Sequence, residues 1–167
     1  MIRIVENSPE HFEFIRQLRN DARVQDGFLE QVEIARDQQA RYMAHHADRF
    51  LVALHDGRPA SYVGSIDGDI RVCTHPDFWG CGVGKALIEA VMDRFPESHA
   101  RVKPKNTASI ALFEASGFQP AGRDGDLLVS DDQCQTSSRL KKEAGSWVTR
   151  PHATSLLPAF PGGQRVQ

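Results

Sequence analysis

Between a strand-like run, Ile70-Arg71-Val72-Cys73-Thr74, and a helix-like run, Ala86 to Phe95, the chain carries Trp79-Gly80-Cys81-Gly82-Val83-Gly84-Lys85, with glycine at every second position. Such a stretch demands a strand-to-helix turn. Glycine there admits unusual backbone angles and lets a ligand come close to the amides. The N-terminus of the following helix adds unpaired N–H groups and the positive end of its dipole, a combination suited to phosphate oxygens. The stretch therefore reads as a phosphate cradle around which the other elements are arranged.

Taken in order, Ile2 to Glu6 alternates apolar and polar residues as a half-buried strand does. Ser8-Pro9-Glu10 supplies an N-cap, a proline at the first helical position and an early acid, and Phe12, Ile15 and Leu18 follow at helical spacing. This predicts a first helix ending near Asn20. A second helix with a thin apolar face, suited to flanking a cleft, is expected from about Gln31 to His46. Arg49 to Leu54, Ala60 to Ile66 and Ile70 to Thr74 read as three strands joined by tight antiparallel turns at Asp56-Gly57 and Asp67-Gly68. After the glycine stretch, Leu87, Ile88, Val91, Met92 and Phe95 mark the buried face of a helix that Pro96 stops. Ala100 to Lys103 reads as a strand, and Asn106 to Gly117 as a helix with a capping Asn and a terminating Gly. Phe118 to Pro120 and Asp126 to Val129 then close an α/β (α+β) domain spanning residues 1–132. Residues 133–167 are polar and carry prolines and glycines without periodicity. They read as a largely disordered tail with one late segment, near Ala153 to Phe160, apolar enough to dock.

Composition narrows the function. At 167 residues with 40% hydrophobic and 25% charged side chains, the chain suits one soluble domain with a proper core. It has no apolar run near the roughly 20 residues of a membrane span, and Met1 to Val5 leads into a strand rather than a signal peptide. No membrane partner and a cytoplasmic location are the expectations. Cys73, Cys81 and Cys134 lack disulfide or zinc spacing, and His45-His46 has no second ligand pair, so no metal is expected. Cys81 is read as a small residue, with a redox role as the alternative. A formal charge of −2 makes no case for nucleic acid. Five basic residues after Asp132, against the single acid Glu143, are dispersed and lack interleaved aromatics, so a tail that recruits nucleic acid or a partner ranks last.

Two motifs now carry a resemblance. Thr74 through Gly84 resembles the acyl-CoA signature of the GNAT N-acetyltransferase superfamily, written V-x-P-x-x-[QR]-x-x-G-x-G. Asn106 through Phe118 resembles its second signature, an Asn-initiated helix ending in Gly-Phe. The two lie in the family's order and separation, and the resemblance covers about Met1 to Val129. It implies the GNAT fold: a mixed, largely antiparallel twisted sheet flanked by about four helices, with splayed strands at the acyl-CoA site. It also implies acetyl-CoA as co-substrate, with no metal. Val72 and Thr74 would bond the pantetheine arm. The amides from Trp79, Gly80, Cys81, Gly82, Val83, Gly84 and Lys85 would hold the pyrophosphate, with Gly82 and Gly84 where side chains would clash. Asn106 would touch the cofactor arm, or serve only as an N-cap, and Lys85 is as readily a solvated helix residue as a phosphate ligand.

The chain departs from the family twice. Trp79 stands where Gln or Arg is usual, offering an aromatic surface in place of hydrogen bonds or charge. Phe113 replaces a tyrosine that many members use as general acid, and phenylalanine cannot donate a proton. Phe113 is thus read as core or as packing on the pantetheine.

The expected reaction is direct attack of a primary amine on the thioester, with the oxyanion held by a backbone N–H near Cys73 or Thr74. Asp69 and His75 are the candidate bases, each with a plainer reading, Asp69 as a hairpin residue and His75 as an exposed turn histidine. Arg19-Asn20-Asp21 resembles an element of members that acetylate nucleotide-linked amino-sugars, so Arg19 and Asn20 are candidate acceptor contacts. A small-molecule amine or amino-sugar is the first acceptor class, and a protein N-terminus or lysine the second. A non-catalytic acyl-CoA sensor is the alternative from another class. By the family's analogy the chain is a monomer or a homodimer paired through strands near Phe118 to Val129.

Overall fold

At Asp56-Gly57 and Asp67-Gly68 all four residues have positive φ, 50° and 80° in the first turn and 53° and 79° in the second. That geometry matches the twist of paired strands. The turns fold β2 (Phe50–His55), β3 (Arg58–Ile66) and β4 (Asp69–Thr74) into an antiparallel meander, and β1 (Ile2–Glu6) pairs with the outer edge of β2. β5 (His99–Val102) joins β4 in parallel through one bridge, Asp69 to His99. Beyond it come β7 (Leu127–Asp132) and the edge strand β6 (Phe118–Asp124), giving the order β1-β2-β3-β4-β5-β7-β6. This computed structural model describes residues 1–132. The expected disordered tail, its late segment and Cys134 lie outside the described residues.

Helices α1 (Pro9–Asn20), α2 (Ala22–Gln25), α3 (Arg36–His46), α4 (Val83–Arg94) and α5 (Thr107–Ala115) flank the sheet, five rather than about four. On one face, Ile15 and Leu18 of α1 and Met43 of α3 pack over Phe50, Val52, Tyr62 and Cys73. On the other, Val83, Leu87 and Val91 of α4 with Phe113 of α5 cover Leu51, Val63, Ile70, Val102 and Phe118. Each large apolar side chain buried this way contributes about 1.5–3 kcal/mol. Gly64 shows how close the packing is, since a Cβ there would sit 2.4 Å from the Phe50 ring. Among the described residues no helix is long and apolar enough to cross a membrane.

Several elements differ from the sequence reading, among them β6, which runs past Pro120 to Asp124, and the short helix α2, which was not expected. The second long helix begins at Arg36, not Gln31. The Asn20 side-chain amide donates to the Ile34 carbonyl (2.9 Å) and accepts from the Ile34 N–H (2.9 Å), so both backbone groups of Ile34 are engaged outside any helix. α4 begins at Val83, three residues earlier than expected, which moves Gly84 and Lys85 out of the turn and into the helix. β7 runs on to Asp132, where it pairs with Phe118.

Candidate active site

The hydrogen-bond alternation of β4 defines the site. His75 N–H donates to the Ala60 carbonyl (2.8 Å), and the β3–β4 register holds without a shift. In an antiparallel ladder, residues bonded to the partner alternate with residues whose backbone groups face away. Arg71 and Cys73 thus bond to β3, while Ile70, Val72 and Thr74 turn their N–H and C=O groups toward β5. β5 is paired to β4 only at Asp69, so the backbone of Val72 faces an open gap. The expectation of an oxyanion donor near Cys73 or Thr74 narrows accordingly, because the Cys73 backbone is engaged with β3 and its carbonyl also accepts the Ser61 hydroxyl (2.8 Å).

Past β4, a short 3-10 turn at Pro76–Phe78 folds the chain back so that the Trp79 indole N–H donates to the Thr74 carbonyl (2.9 Å). The expectation that Trp79 offers only an aromatic surface is corrected: 59% exposed, it also ties down the strand end. Gly80 and Gly82 have φ of 76° and 80°, a left-handed backbone that side chains oppose. A Cβ on either meets no protein atom within 4 Å, so the requirement is conformational. Gly84 is needed for a different reason, because its Cβ would lie 3.2 Å from Leu112 and 3.3 Å from the Thr74 hydroxyl. α4 starts with Gly82 as a cap that has no side chain, and its first capped amide is Ala86 N–H on the Gly82 carbonyl (3.2 Å). The N–H groups of Val83, Gly84 and Lys85 are left for an anion. The Lys85 side chain is half exposed, 4.0 Å from Glu89, and Cys81 is exposed.

A cleft of about 670 Å³ opens over β4 at the gap to β5, lined by Arg19, Tyr42 and Tyr62 from the α1/α3 face, by Val72 and Phe113 from the α4/α5 face, and by Arg101, Asn106 and Gly27 to Glu30. Asp69 lines it at 6% exposure. One Asp69 oxygen accepts from Arg101 (3.0 Å), which also bonds Asp124 (3.1 Å), and the other has no partner among the described residues. Asn106 caps α5, accepting from Ser109 N–H (3.2 Å), and donates across the cleft to the Gly27 carbonyl (3.3 Å). Phe113 is 4% exposed and packs edge-on against Phe118 at 5.1 Å. Among the described residues no group of His, Cys, Asp and Glu side chains could hold a metal.

The family model described as Acetyltransferase (GNAT) family matches residues 12–118. The chain belongs to the GNAT acetyltransferase family. It is an acyltransferase by that membership, and the mixed sheet with its flanking helices is the GNAT fold. A curated relative, the peptidyl-lysine N-acetyltransferase YjaB of Escherichia coli (strain K12), is 35% identical over 48 residues, 29% of this chain. The match spans 33% of that relative's length. Among solved structures, yncA from Salmonella typhimurium with its cofactor acetyl-CoA aligns at TM-score 0.62 and 20% identity, covering 77% of this chain and 90% of that one. Ribosomal-protein-alanine N-acetyltransferase from Brucella melitensis aligns at 0.64 and 18%, covering 77% and 96%. Spermidine N-acetyltransferase from Vibrio cholerae, in complex with CoA and spermine, aligns at 0.62 and 15%, covering 77% and 92%. At these identities the structural likenesses speak to the fold.

Within the GNAT frame, the structure separates residues that the sequence grouped. His75 lies away from the cleft, in a second hollow with Leu18, Asp21 and Arg58, where its Nδ1 accepts from Asp77 N–H (3.2 Å). It is not brought to Asp69. Asn20, a candidate acceptor contact, has its amide engaged by Ile34, whereas Arg19 reaches the cleft and lies over the Phe28 ring at 5.5 Å. Asp69 opens β4 and pairs with Arg101, a larger role than flanking a turn. Tyr62, Arg71 and Arg101 went unrecognised in the sequence. For Arg71 a signal existed, since alternation along β4 sets Asp69, Arg71 and Cys73 on one face.

Proposed function

We propose that residues 1–132 form an N-acetyltransferase domain that transfers the acetyl group of acetyl-CoA to the primary amine of a small molecule. The observation that carries this reading is the splay of β4 from β5 after a single bridge, which leaves Val72 backbone groups facing a gap beside the uncapped start of α4. Val72 and the Thr74 N–H suit a pantetheine arm, and the amides of Gly80 and of Gly82 to Lys85 suit the pyrophosphate, the Cys81 N–H being given to the Phe78 carbonyl (3.2 Å). Acetyl-CoA bound there supplies the acetyl group as a thioester. A β4 N–H facing the gap, from Val72 or Thr74, stabilises the developing oxyanion. Asp69, whose unpartnered oxygen is buried, accepts the proton of the attacking amine through water, since the amine must be neutral to react. With Phe113 unable to donate, the departing sulfur takes its proton from water. The covered cleft, tied by Asn20 to Ile34 and by Asn106 to Gly27, favours a small acceptor over a protein chain. A cytoplasmic monomer or homodimer accords with this reading.

The test is incubation with acetyl-CoA and a panel of primary amines while following free thiol and acetylated product. Amine-dependent thiol release supports the reading. Tight CoA binding with no thiol release from any amine supports the sensor instead.

A further inference from the structure

Two cations in the cleft have no ion-pair partner among the described residues. Arg19 at the end of α1 and Arg71 at the middle of β4 both line it and are both partly buried. Among the described residues neither forms an ion pair. Arg19 lies over the Phe28 ring, and Arg71 donates to the Tyr42 hydroxyl (3.4 Å). The acids lining the same cleft do not answer them: Asp69 is held by Arg101, and neither Glu30 nor Asp67 reaches an arginine. Elsewhere the exposed arginines find carboxylates readily, as Arg23 does with Asp21 (2.6 Å) and Arg41 with Asp37 (2.9 Å). Leaving two guanidiniums unmatched inside a cleft costs desolvation that a bound oxyanion would offset, and a guanidinium fork fits carboxylate or phosphate well.

Tyr62 pairs with Cys73 across β3 and β4, diagonal to Arg71 on the same face, and lines the cleft with Arg19. Burial pushes the Tyr62 hydroxyl up, with the Arg19 and Arg71 charges pulling the other way. A phenol that keeps its proton is a hydrogen-bond donor beside them. Coenzyme phosphates are not the intended partner, because they are placed at the start of α4, on the face of β4 opposite the Arg71 side chain. Arg71 points with Tyr42 and Tyr62 to the α1/α3 face, whereas the start of α4 packs with Ile70 on the other.

Resting on the acetyl-transfer reading, we infer that Arg19, Arg71 and Tyr62 form an oxyanion subsite and that the acceptor is a primary amine carrying a carboxylate or phosphate group. Arg71 and Asp69 lie on one face of β4 two residues apart, about 6.6 Å along the strand. The amine of a short zwitterion turns toward Asp69, whose buried oxygen it meets through water, while its anion meets the arginines. Polyamines, which present only cations, are excluded by the same charges.

The test compares kcat/KM, by thiol release, for a short amino acid, its carboxamide, the matching aminoalkyl phosphonate and spermidine. The subsite predicts that the anionic amines lead, and the carboxylate-to-phosphonate ratio names the natural anion. Arg71→Gln and Arg19→Gln each lower the amino-acid-to-amide ratio by about tenfold or more through the acceptor's KM, and Arg71→Lys restores part of it. Equal use of the amide or of spermidine overturns the subsite and leaves acetyl transfer standing. Thiol release from no amine, with CoA bound, is the failure of the acetyl-transfer reading. Calorimetric titration of the full chain with the same amino acid then decides the subsite alone. Binding weakened by Arg71→Gln supports it, and binding that is absent or insensitive overturns it.

Discussion

In the proposed site, the coenzyme half and the acceptor half are built from different materials. Beside the gap, the recognition groups are backbone: the outward N–H and C=O of Val72, the left-handed Gly80 and Gly82, and the free amides at the start of α4. On the α1/α3 side they are side chains from distant segments, Arg19, Tyr62, Asp69 and Arg71, gathered under a loop held by Asn20 and Asn106. A backbone site depends on local conformation and so carries a local motif. A side-chain site depends on which segments meet, and one residue can change without altering the fold.

The sharpest way to break that division is Asp69→Asn. Loss of the proton acceptor lowers kcat by about a hundredfold or more while the KM for acetyl-CoA stays near its starting value, as measured by initial rates. A parallel rise in the coenzyme KM would show that the halves are not separate. Gly82→Val acts from the other side. A β-branched residue at φ 80° distorts the start of α4 and costs about 1–2 kcal/mol or more. The acetyl-CoA KM rises roughly tenfold with the acceptor's little changed. Unchanged coenzyme affinity would remove the glycine loop from the site.

Asn20→Ala probes the roof. It leaves the Ile34 N–H without a partner and its C=O with Arg16 alone (3.1 Å), lowers stability by about 1–3 kcal/mol in denaturant melts, and raises the acceptor KM several-fold. The smallest effect is on pH. Side-chain and backbone hydrogen bonds with Arg23 hold the Asp21 carboxyl down at about 2, against 3.8 ordinarily. Its stabilising contribution is therefore complete above about pH 4 and lost as pH falls toward 2. An Asp21→Asn variant should show a flatter acid melting profile over that window. The same slope in both proteins would assign the acid sensitivity elsewhere.

Legibility in the sequence follows the same line. The hairpin turns, the helix starting at Pro9 and the Asn106 cap were readable because each is specified by neighbours in sequence. The glycine stretch was readable too, although it concealed two reasons for glycine, left-handed φ at Gly82 and close packing at Gly84. The late start of α3 was not readable, since Asn20 reaches Ile34 across the chain. Nor was the withdrawal of His75 from the cleft, which depends on how the Pro76–Phe78 turn lies against α1. Arg101 looked like one polar residue in a short strand until β5 met β4 at Asp69.

The most direct test of a backbone-built coenzyme site is an amide-resolved NMR titration of the full chain with acetyl-CoA. The account predicts that the largest shifts fall on the N–H groups of Val72, Gly80 and Gly82 through Lys85, with the Ile34 amide, bonded to Asn20, far less affected. Saturable binding that leaves Val72 and the start of α4 unmoved would contradict it.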